Sequence, residues 1–263
     1  MHEIGHALGL KHPGNYNAGG GTSPGPFLSK SLDNKQNTMM SYYDNTFSRG
    51  INNSTPMILD IAALQYLYGA NKSASTADSN GNFAFLAGQN IRKTLWSTNG
   101  TDTIDLSQLT NASNVNLNAG TFSSINIIGP STSSNYSGNG NAGIAYGSQI
   151  NRVKLSSALG TAESITLNAA FQTGSFNTID SIDAASDKIL LRKSLFGDIK
   201  AANIEFGSTA TKTTSRILVN TTSGEVFYDA DGSGTRATAR KIAQYTLHQS
   251  SVSLSVSNFM GVA

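Results

Sequence analysis

The chain of 263 residues has no cysteine. A disulfide framework, a thiol nucleophile and a thiolate zinc site are therefore excluded. Charge is also scarce: Asp, Glu, Lys and Arg amount to 13% of the residues, and the formal net charge is +2. Such a balance builds no basic surface for phosphates, so nucleic acid is not expected as a partner. No apolar run approaches the roughly 20 residues that cross a bilayer, and no transmembrane segment is expected. Met1 is followed at once by polar, histidine-bearing sequence, so no amino-terminal secretory signal is expected either. Proline occurs only 5 times. What is abundant is small and polar: 35 Ser, 25 Thr and 26 Asn make up about a third of the chain, with 26 Gly besides. That bias works against long helices and favours short strands joined by many turns.

Residues 2–10 read as a helix, with Ile4, Ala7 and Leu8 on one face, Gly9 near its end and Pro13 just beyond. Residues 14–55 read mostly as loop, punctuated by Gly19-Gly20-Gly21 and Pro24-Gly25-Pro26. A second helix is expected over 56–69, because Thr55 suits the N-cap, Pro56 the first helical position and Gly69 a C-terminal stop. Its stripe of Ile58, Ile61, Ala62, Leu64, Gln65 and Tyr68 has one polar break and predicts a core-packing helix.

From about residue 71 the texture changes. Short alternating runs such as Val115-Asn116-Leu117-Asn118 and Ser164-Ile165-Thr166-Leu167, bounded by Gly, Asn and Ser, are strand signals. Residues 129–143 read as a long loop, and further strands come from about 176 onward. Among these are Arg216 to Val219 and Glu225 to Tyr228, across a turn at Ser223-Gly224. No repeat of strict period is evident.

Three of the four histidines lie in the first twelve residues, as His2-Glu3-Ile4-Gly5-His6-Ala7-Leu8-Gly9-Leu10-Lys11-His12. On a helix, His2 and His6 are four apart and project from one face toward one ion. Glu3 stands beside that face, able to reach a metal-bound water without ligating the metal. Gly9 lets the chain turn and bring His12 round as a third ligand. Three nitrogens and one open position define a catalytic zinc site, not a closed structural one. Zinc lowers the pKa of its water toward about 7 and polarises a carbonyl. Glu3 would take the proton and pass it to the leaving amine. Chance placement is a serious rival for a bare H-E-x-x-H; the eleven-residue form, in a chain with one other histidine, outweighs it.

These residues resemble the metzincin clan, and the stretch beyond His12 is similar to the serralysin family of secreted bacterial proteases. The run His12-Pro13-Gly14-Asn15-Tyr16-Asn17-Ala18-Gly19 resembles that family's continuation after the third histidine, and Thr38-Met39-Met40-Ser41-Tyr42 its methionine turn. The resemblance implies that Met40 floors the zinc site. It also implies that Tyr42 is an extra zinc ligand, leaving the metal to hydrogen-bond the tetrahedral intermediate. Leu59 through Asn71 resembles the family's closing helix.

Later segments resemble the family's calcium-binding part, with departures. After Trp96 the family has an Asp-rich turn; Asp102, Thr103 and Asp105 match it, but Ser97 and Asn99 stand where an aspartate and a glycine are expected. Losing a hard oxygen ligand should weaken calcium there. Gly143 to Gly147 resembles the strand that leads into a calcium β-roll, yet no G-G-x-G-x-D nonapeptide comes after it. A metal-filled roll is therefore expected to be missing or replaced by something without metal. Asp229 and Asp231, in Tyr228-Asp229-Ala230-Asp231-Gly232-Ser233-Gly234, could share a calcium ion; a polar turn with two solvated aspartates fits equally well. Asp187-Lys188-Ile189 resembles a strand of the same module's cap. His248, far from the other histidines, reads as an ordinary surface or β-edge residue. The tail Asn258 to Ala263 is similar to that of proteins exported without an amino-terminal signal.

The resemblance implies an α+β fold: residues 1–71 as the carboxy-terminal, helical part of a metzincin protease domain, and 72–263 as a mainly β, roll- or sandwich-like domain of degenerate calcium-repeat character. The implied protein is a secreted, monomeric zinc endopeptidase acting on proteins or peptides, with zinc, a role for calcium, and a protein inhibitor as a further partner. Family members carry an upper cleft wall ahead of the zinc helix. This chain starts one residue before His2, so weak zinc binding and poor cleavage are expected. The competing reading is a non-catalytic secreted β module with a remnant zinc motif.

Overall fold

Gly9 decides where the first helix stops. In the computed structural model, which describes residues 1–45, 51, 53–129 and 137–263, helix α1 (His2–Ala7) ends short of the expected Leu10. Gly9 takes φ +89°, a left-handed value that turns the chain, and the Leu10 N–H returns to the Gly5 carbonyl at 2.9 Å. The helix does not pack through its Ile4, Ala7 and Leu8 face, which is exposed. It packs through Gly5, where an added Cβ would lie 2.5 Å from the Met40 sulfur.

Helix α2 (Ile58–Tyr68) starts later than expected. Its N-cap is Met57, whose N–H donates to the Asp60 carboxylate at 2.8 Å. The Thr55 hydroxyl is occupied elsewhere, accepting the Thr94 N–H at 2.7 Å. Ile58 and Asp60 are buried, and Ala63 and Leu64 pack on a small cluster of Leu10, Met39 and Met40. The expected stripe does not hold to the end of the helix: Tyr68 is exposed, as are Tyr66 and Leu67.

Both helices belong to a compact unit formed by Met1–Thr76, Gly88–Thr98 and Ala119–Ser148. It also holds a three-stranded sheet in the order Lys93–Leu95, Ala142–Ile144, Phe122–Ser123, the first pair parallel and the second antiparallel. Part of the loop expected over 129–143, residues 130–136, lies outside the described residues, and its end forms the strand Ala142–Ile144.

The second unit comprises Ala77–Ala87, Asn99–Asn118 and Gln149–Ala263. Here the backbone alternates between two sheets, with the strands of successive turns paired in parallel. Thr103–Asp105, Arg152–Lys154 and Asn177–Ile182 lie in the longer sheet; Ser113–Asn116, Glu163–Thr166 and Lys188–Arg192 lie in a four-stranded one, joined at its edge by Phe259–Val262. Corresponding strands of the last two turns begin 25 residues apart, at 152 and 177 and at 163 and 188. The backbone thus repeats where the sequence shows no strict period. Ile104, Leu106, Val115, Leu117, Val153, Leu155, Ile165, Leu167, Ile179, Ile189 and Leu191 are all fully buried and make the core. At about 25 cal/mol per Å² of apolar surface, that column drives the stacking of the coil. Asn118 and Asn168 staple successive turns, each donating its amide to the other turn's carbonyl, at Leu167 and Leu117, at 3.3 and 3.1 Å. Beyond Arg240–Leu247 the longer sheet continues into the expected hairpin, Glu225–Tyr228 with Ile217–Asn220, and ends in the edge strand Ile204–Phe206. The chain is accordingly mostly β with few helices. Among the described residues, no helix is long and apolar enough to cross a membrane.

Candidate metal centre

The helical spacing of His2 and His6 and the turn at Gly9 bring three imidazoles together. Their ligating atoms all lie within 4.8 Å of one another, the only such group of three or more His, Cys, Asp or Glu side chains among the described residues. The Nε2 atom of His12 is 3.1 Å from that of His2 and 3.2 Å from that of His6.

Backbone carbonyls fix the tautomers. His2 Nδ1 donates to the Met39 carbonyl, His6 Nδ1 to that of Leu10, and His12 Nδ1 to that of Tyr16, each at 2.8 Å. His12 Nδ1 also faces the Asn17 side-chain oxygen at 2.9 Å. A carbonyl only accepts, so each Nδ1 carries a proton and each Nε2 is the atom turned inward. Where the rings are neutral, their three inward lone pairs cannot satisfy one another; a cation can. Tetrahedral zinc, with Zn–N of about 2.0–2.1 Å, sets its nitrogens roughly 3.3–3.4 Å apart, so the spacing fits the ion. The Nδ1–H to carbonyl bonds are the outer partners that metal-ligating histidines ordinarily have.

The methionine turn is anchored from α2. Asp60, 2% exposed, accepts the Thr38 hydroxyl at 2.6 Å and the N–H of Met39 at 2.7 Å. The same Met39 residue presents its carbonyl to His2, so Asp60 fixes a metal-facing ring through one residue's backbone. Burial pushes the Asp60 carboxyl above its ordinary range, against the pull of the donors from Met39, Thr38 and Met57. Met40 is buried against Gly5, beneath the histidine helix. Tyr42 is 45% exposed, and its ring lies 4.6 Å from that of His12 and 5.7 Å from that of His2. Glu3 is exposed and shares with His2 and Tyr42 a cavity of about 580 Å³ that Lys35, Met39 and Asn53 also line. Tyr16 stacks on His12 and donates its hydroxyl to Asp33 at 2.7 Å. Burial pushes that hydroxyl up to about 12, so it remains a donor across the neutral range.

The carboxylates considered for calcium are placed differently. Asp102 Oδ1 accepts the Asn99 side-chain amide at 2.9 Å, and Asp105 Oδ1 the Ser107 N–H at 2.9 Å. Asp229 is buried, its Oδ1 accepting the N–H groups of Asp231 and Gly232. Asp231 Oδ2 takes the Arg236 N–H at 2.8 Å, while its Oδ1 is buried without a hydrogen-bond partner among the described residues. His248 pairs its Nδ1 with the Ser181 hydroxyl at 3.0 Å.

A helix bearing two histidines, a third beyond a glycine turn and a buried methionine beneath them form a cluster with the geometry to hold one metal ion. No protein-family model matches the chain. Among curated proteins it is 41% identical over 138 residues to serralysin C of Dickeya chrysanthemi, across 47% of this chain and 29% of that one. It is 38% identical over 140 residues to a serralysin of Proteus mirabilis, covering 48% and 28% of the two chains. It is 36% identical over 142 residues to the metallopeptidase AprA of Pseudomonas marginalis, covering 47% and 30%. Over the matched half the chain is similar to serralysins, and it spans under a third of the length of these relatives.

Proposed function

We propose that this chain carries the zinc site of a secreted metalloendopeptidase that hydrolyses peptide bonds of protein substrates. The observation that carries the reading is the convergence of three Nε2 atoms on rings whose Nδ1 protons are all committed to carbonyls. His2, His6 and His12 would hold the metal, with Tyr42 as a further ligand. Zinc, when bound, supplies Lewis-acid activation of water and polarisation of the substrate carbonyl. Glu3 takes the water's proton and delivers it to the leaving amine. Its carboxylate has no hydrogen bond or ion pair to the described residues and is free for that exchange. Tyr42 stands beside the histidines as donor to the developing oxyanion. Residues 1–71 correspond in this reading to the carboxy-terminal part of the protease domain, and 72–263 to the family's C-terminal β domain, export signal included.

Replacement of Glu3 by alanine is expected to leave zinc content unchanged and to lower casein hydrolysis by about 10²–10⁴-fold. Hydrolysis that persists in that variant would remove Glu3 from the mechanism. A second reading is a β module that keeps a metal site without catalysis. It is favoured by the cavity lining: no strand among the described residues borders the space shared by His2, Glu3 and Tyr42. Nothing among those residues aligns an extended peptide, and alignment supplies much of a hydrolytic rate. Zinc uptake without any proteolysis by the unaltered chain would select this second reading.

Calcium at Asp229 and Asp231, and at Asp102 and Asp105, belongs to the same proposal. Support for the first pair is the buried, unpartnered Oδ1 of Asp231; the second pair rests on the sequence likeness alone. Calcium removal is expected to lower the unfolding temperature by a few degrees, roughly 1 kcal/mol in a chain of this size. An unchanged midpoint would drop calcium from the proposal.

A further inference from the structure

The loop that brings His12 to the metal and the turn that carries Tyr42 are separate in sequence, and a single carboxylate oxygen joins them. Asp33 Oδ1 accepts the Tyr16 hydroxyl at 2.7 Å and the Ser41 hydroxyl at 2.6 Å. Ser41 is 2% exposed and precedes Tyr42 directly; its Oγ also accepts the Tyr43 N–H at 3.1 Å, which fixes the backbone around the tyrosine. Tyr16, on the other arm, holds His12 twice. Its carbonyl accepts the His12 Nδ1 proton at 2.8 Å, and its ring stacks on the imidazole at 5.4 Å with 24° between the planes. The Tyr16 ring also meets that of Tyr42 at 5.0 Å.

Gly14 makes room for this arrangement. A Cβ there would fall 2.4 Å from the Tyr16 ring and 2.8 Å from Asp33 Oδ2, so the loop closes on the carboxylate only because position 14 has no side chain. Asp33 is itself placed by its N–H, which donates to the Ser29 carbonyl at 3.0 Å.

We propose that Asp33 is a positioning residue of the metal centre, setting the ring of the third ligand and the tyrosine beside it through Tyr16 and Ser41. This rests on the reading of the histidine cluster as a zinc site. Asp33 makes no hydrogen bond to the three imidazoles; it determines where His12 and Tyr42 stand relative to each other through its bonds to Tyr16 and Ser41. Without it, the Tyr16 and Ser41 hydroxyls lose their shared acceptor and the two segments drift apart.

The test loads the full chain with cobalt(II), whose visible spectrum reports coordination geometry, and measures zinc retention against a competing chelator. Tyr16→Phe keeps the ring stack and removes only the hydroxyl; Asp33→Ala removes the shared acceptor. Both are expected to weaken zinc retention by about 10-fold or more, in the range for partners behind a metal ligand, and to alter the cobalt spectrum. Asp33→Asn, which keeps an acceptor oxygen, is expected to restore most of both. Lys30→Ala in the same loop is expected to change neither. Wild-type zinc retention and cobalt spectrum in Tyr16→Phe would overturn the proposal, even if thermal stability fell, because they would leave Asp33 a structural role only. Should Asp33→Ala fail to fold, Tyr16→Phe still decides. An unaltered chain that takes up neither ion would overturn the zinc reading and this proposal together.

Discussion

Replacement of His12 by alanine is expected to abolish zinc retention: bound metal falls from near one ion per chain to trace levels after dialysis against a weak chelator. The reason lies in how the three rings are held. His2 and His6 project from one short helix and are brought to one point by its pitch alone. His12 closes the set from a loop; it is 5% exposed, and its Nδ1 is held by the Tyr16 carbonyl and the Asn17 side chain. Its Nε2 is the atom within 3.2 Å of both partners. Without it, two nitrogens remain and the third side of the site lies open to water. Loss of an outer partner costs about 10–100-fold in affinity, and loss of a ligand itself should exceed that range.

The consequence reaches stability. An ion that binds only the folded chain stabilises it by about 2.7 kcal/mol at 100 times its dissociation constant. Added zinc should therefore raise the unfolding temperature of the unaltered chain and leave that of His12→Ala where it was. Elemental analysis and thermal scans with and without zinc make the comparison. Equal zinc content in the two proteins would mean that His12 is not a ligand, whatever its position.

How much of this is legible in the sequence differs between the site and the scaffold. The histidine motif states the convergence of the three imidazoles almost completely, because i, i+4 spacing on a helix and a glycine turn are local rules with few outcomes. Asp60 escapes notice as a site residue. It lies within the helix run that carries the family likeness, and its partners, Thr38 and Met39, are remote in sequence. Tyr16 and Asp33 are hidden for the same reason, being hydrogen-bonded across loops whose path no pattern dictates.

In the β region the alternation locates strands within one or two residues, but it does not disclose the coil. The two runs that give the strand signal, Val115-Asn116-Leu117-Asn118 and Ser164-Ile165-Thr166-Leu167, are register neighbours on successive turns, the second followed by Asn168. They share buried aliphatic positions and a closing asparagine. The segment 119–148 between them, which belongs to the other compact unit, hides the period from a reader of spacing. In α2, the apolar stripe implies packing along its whole length, whereas its last turn is exposed at Tyr66, Leu67 and Tyr68.

One corner of the coil sets the second large expectation: stability of the β unit should fall as pH rises from about 5 to 8, and Glu163→Gln should remove most of that fall, leaving the smaller part that Asp187 contributes up to about 6. Lys188 pairs with Ser164 in register, which puts Asp187 beside Glu163 on the adjacent turn. The two carboxyls are 1% and 2% exposed. Glu163 offers both oxygens to one donor, the Ser156 N–H, each at 3.2 Å. Asp187 is better supplied, accepting the N–H of Glu163 at 3.0 Å and that of Asp183 at 2.8 Å. Burial pushes Glu163 up to about 8, with the charge of Asp187 adding to the rise, the Ser156 donor opposing it and Asp183 adding again. Burial likewise pushes Asp187 up to about 6, against the donors from Asp183 and Glu163. The pair titrates together, and its neighbour Asp183, kept low chiefly by the Gly160 N–H and further by His248, stays charged beside it.

Proton binding gives the sign. Between the ordinary value of 4.5 and about 8, the folded chain holds the Glu163 proton more firmly than the unfolded chain does. Stability is then fully present below the lower value, declines through the interval and is lost above the upper one, by an amount on the order of a few kcal/mol. Glutamine keeps the shape and cannot ionise, so the variant should match the parent near pH 5 and surpass it at about pH 9. Denaturant unfolding at intervals across that range, monitored by a signal from the β unit, measures both curves. Parallel curves would show that the proton is not shared between these two turns, and that some unseen donor keeps Glu163 charged at no cost.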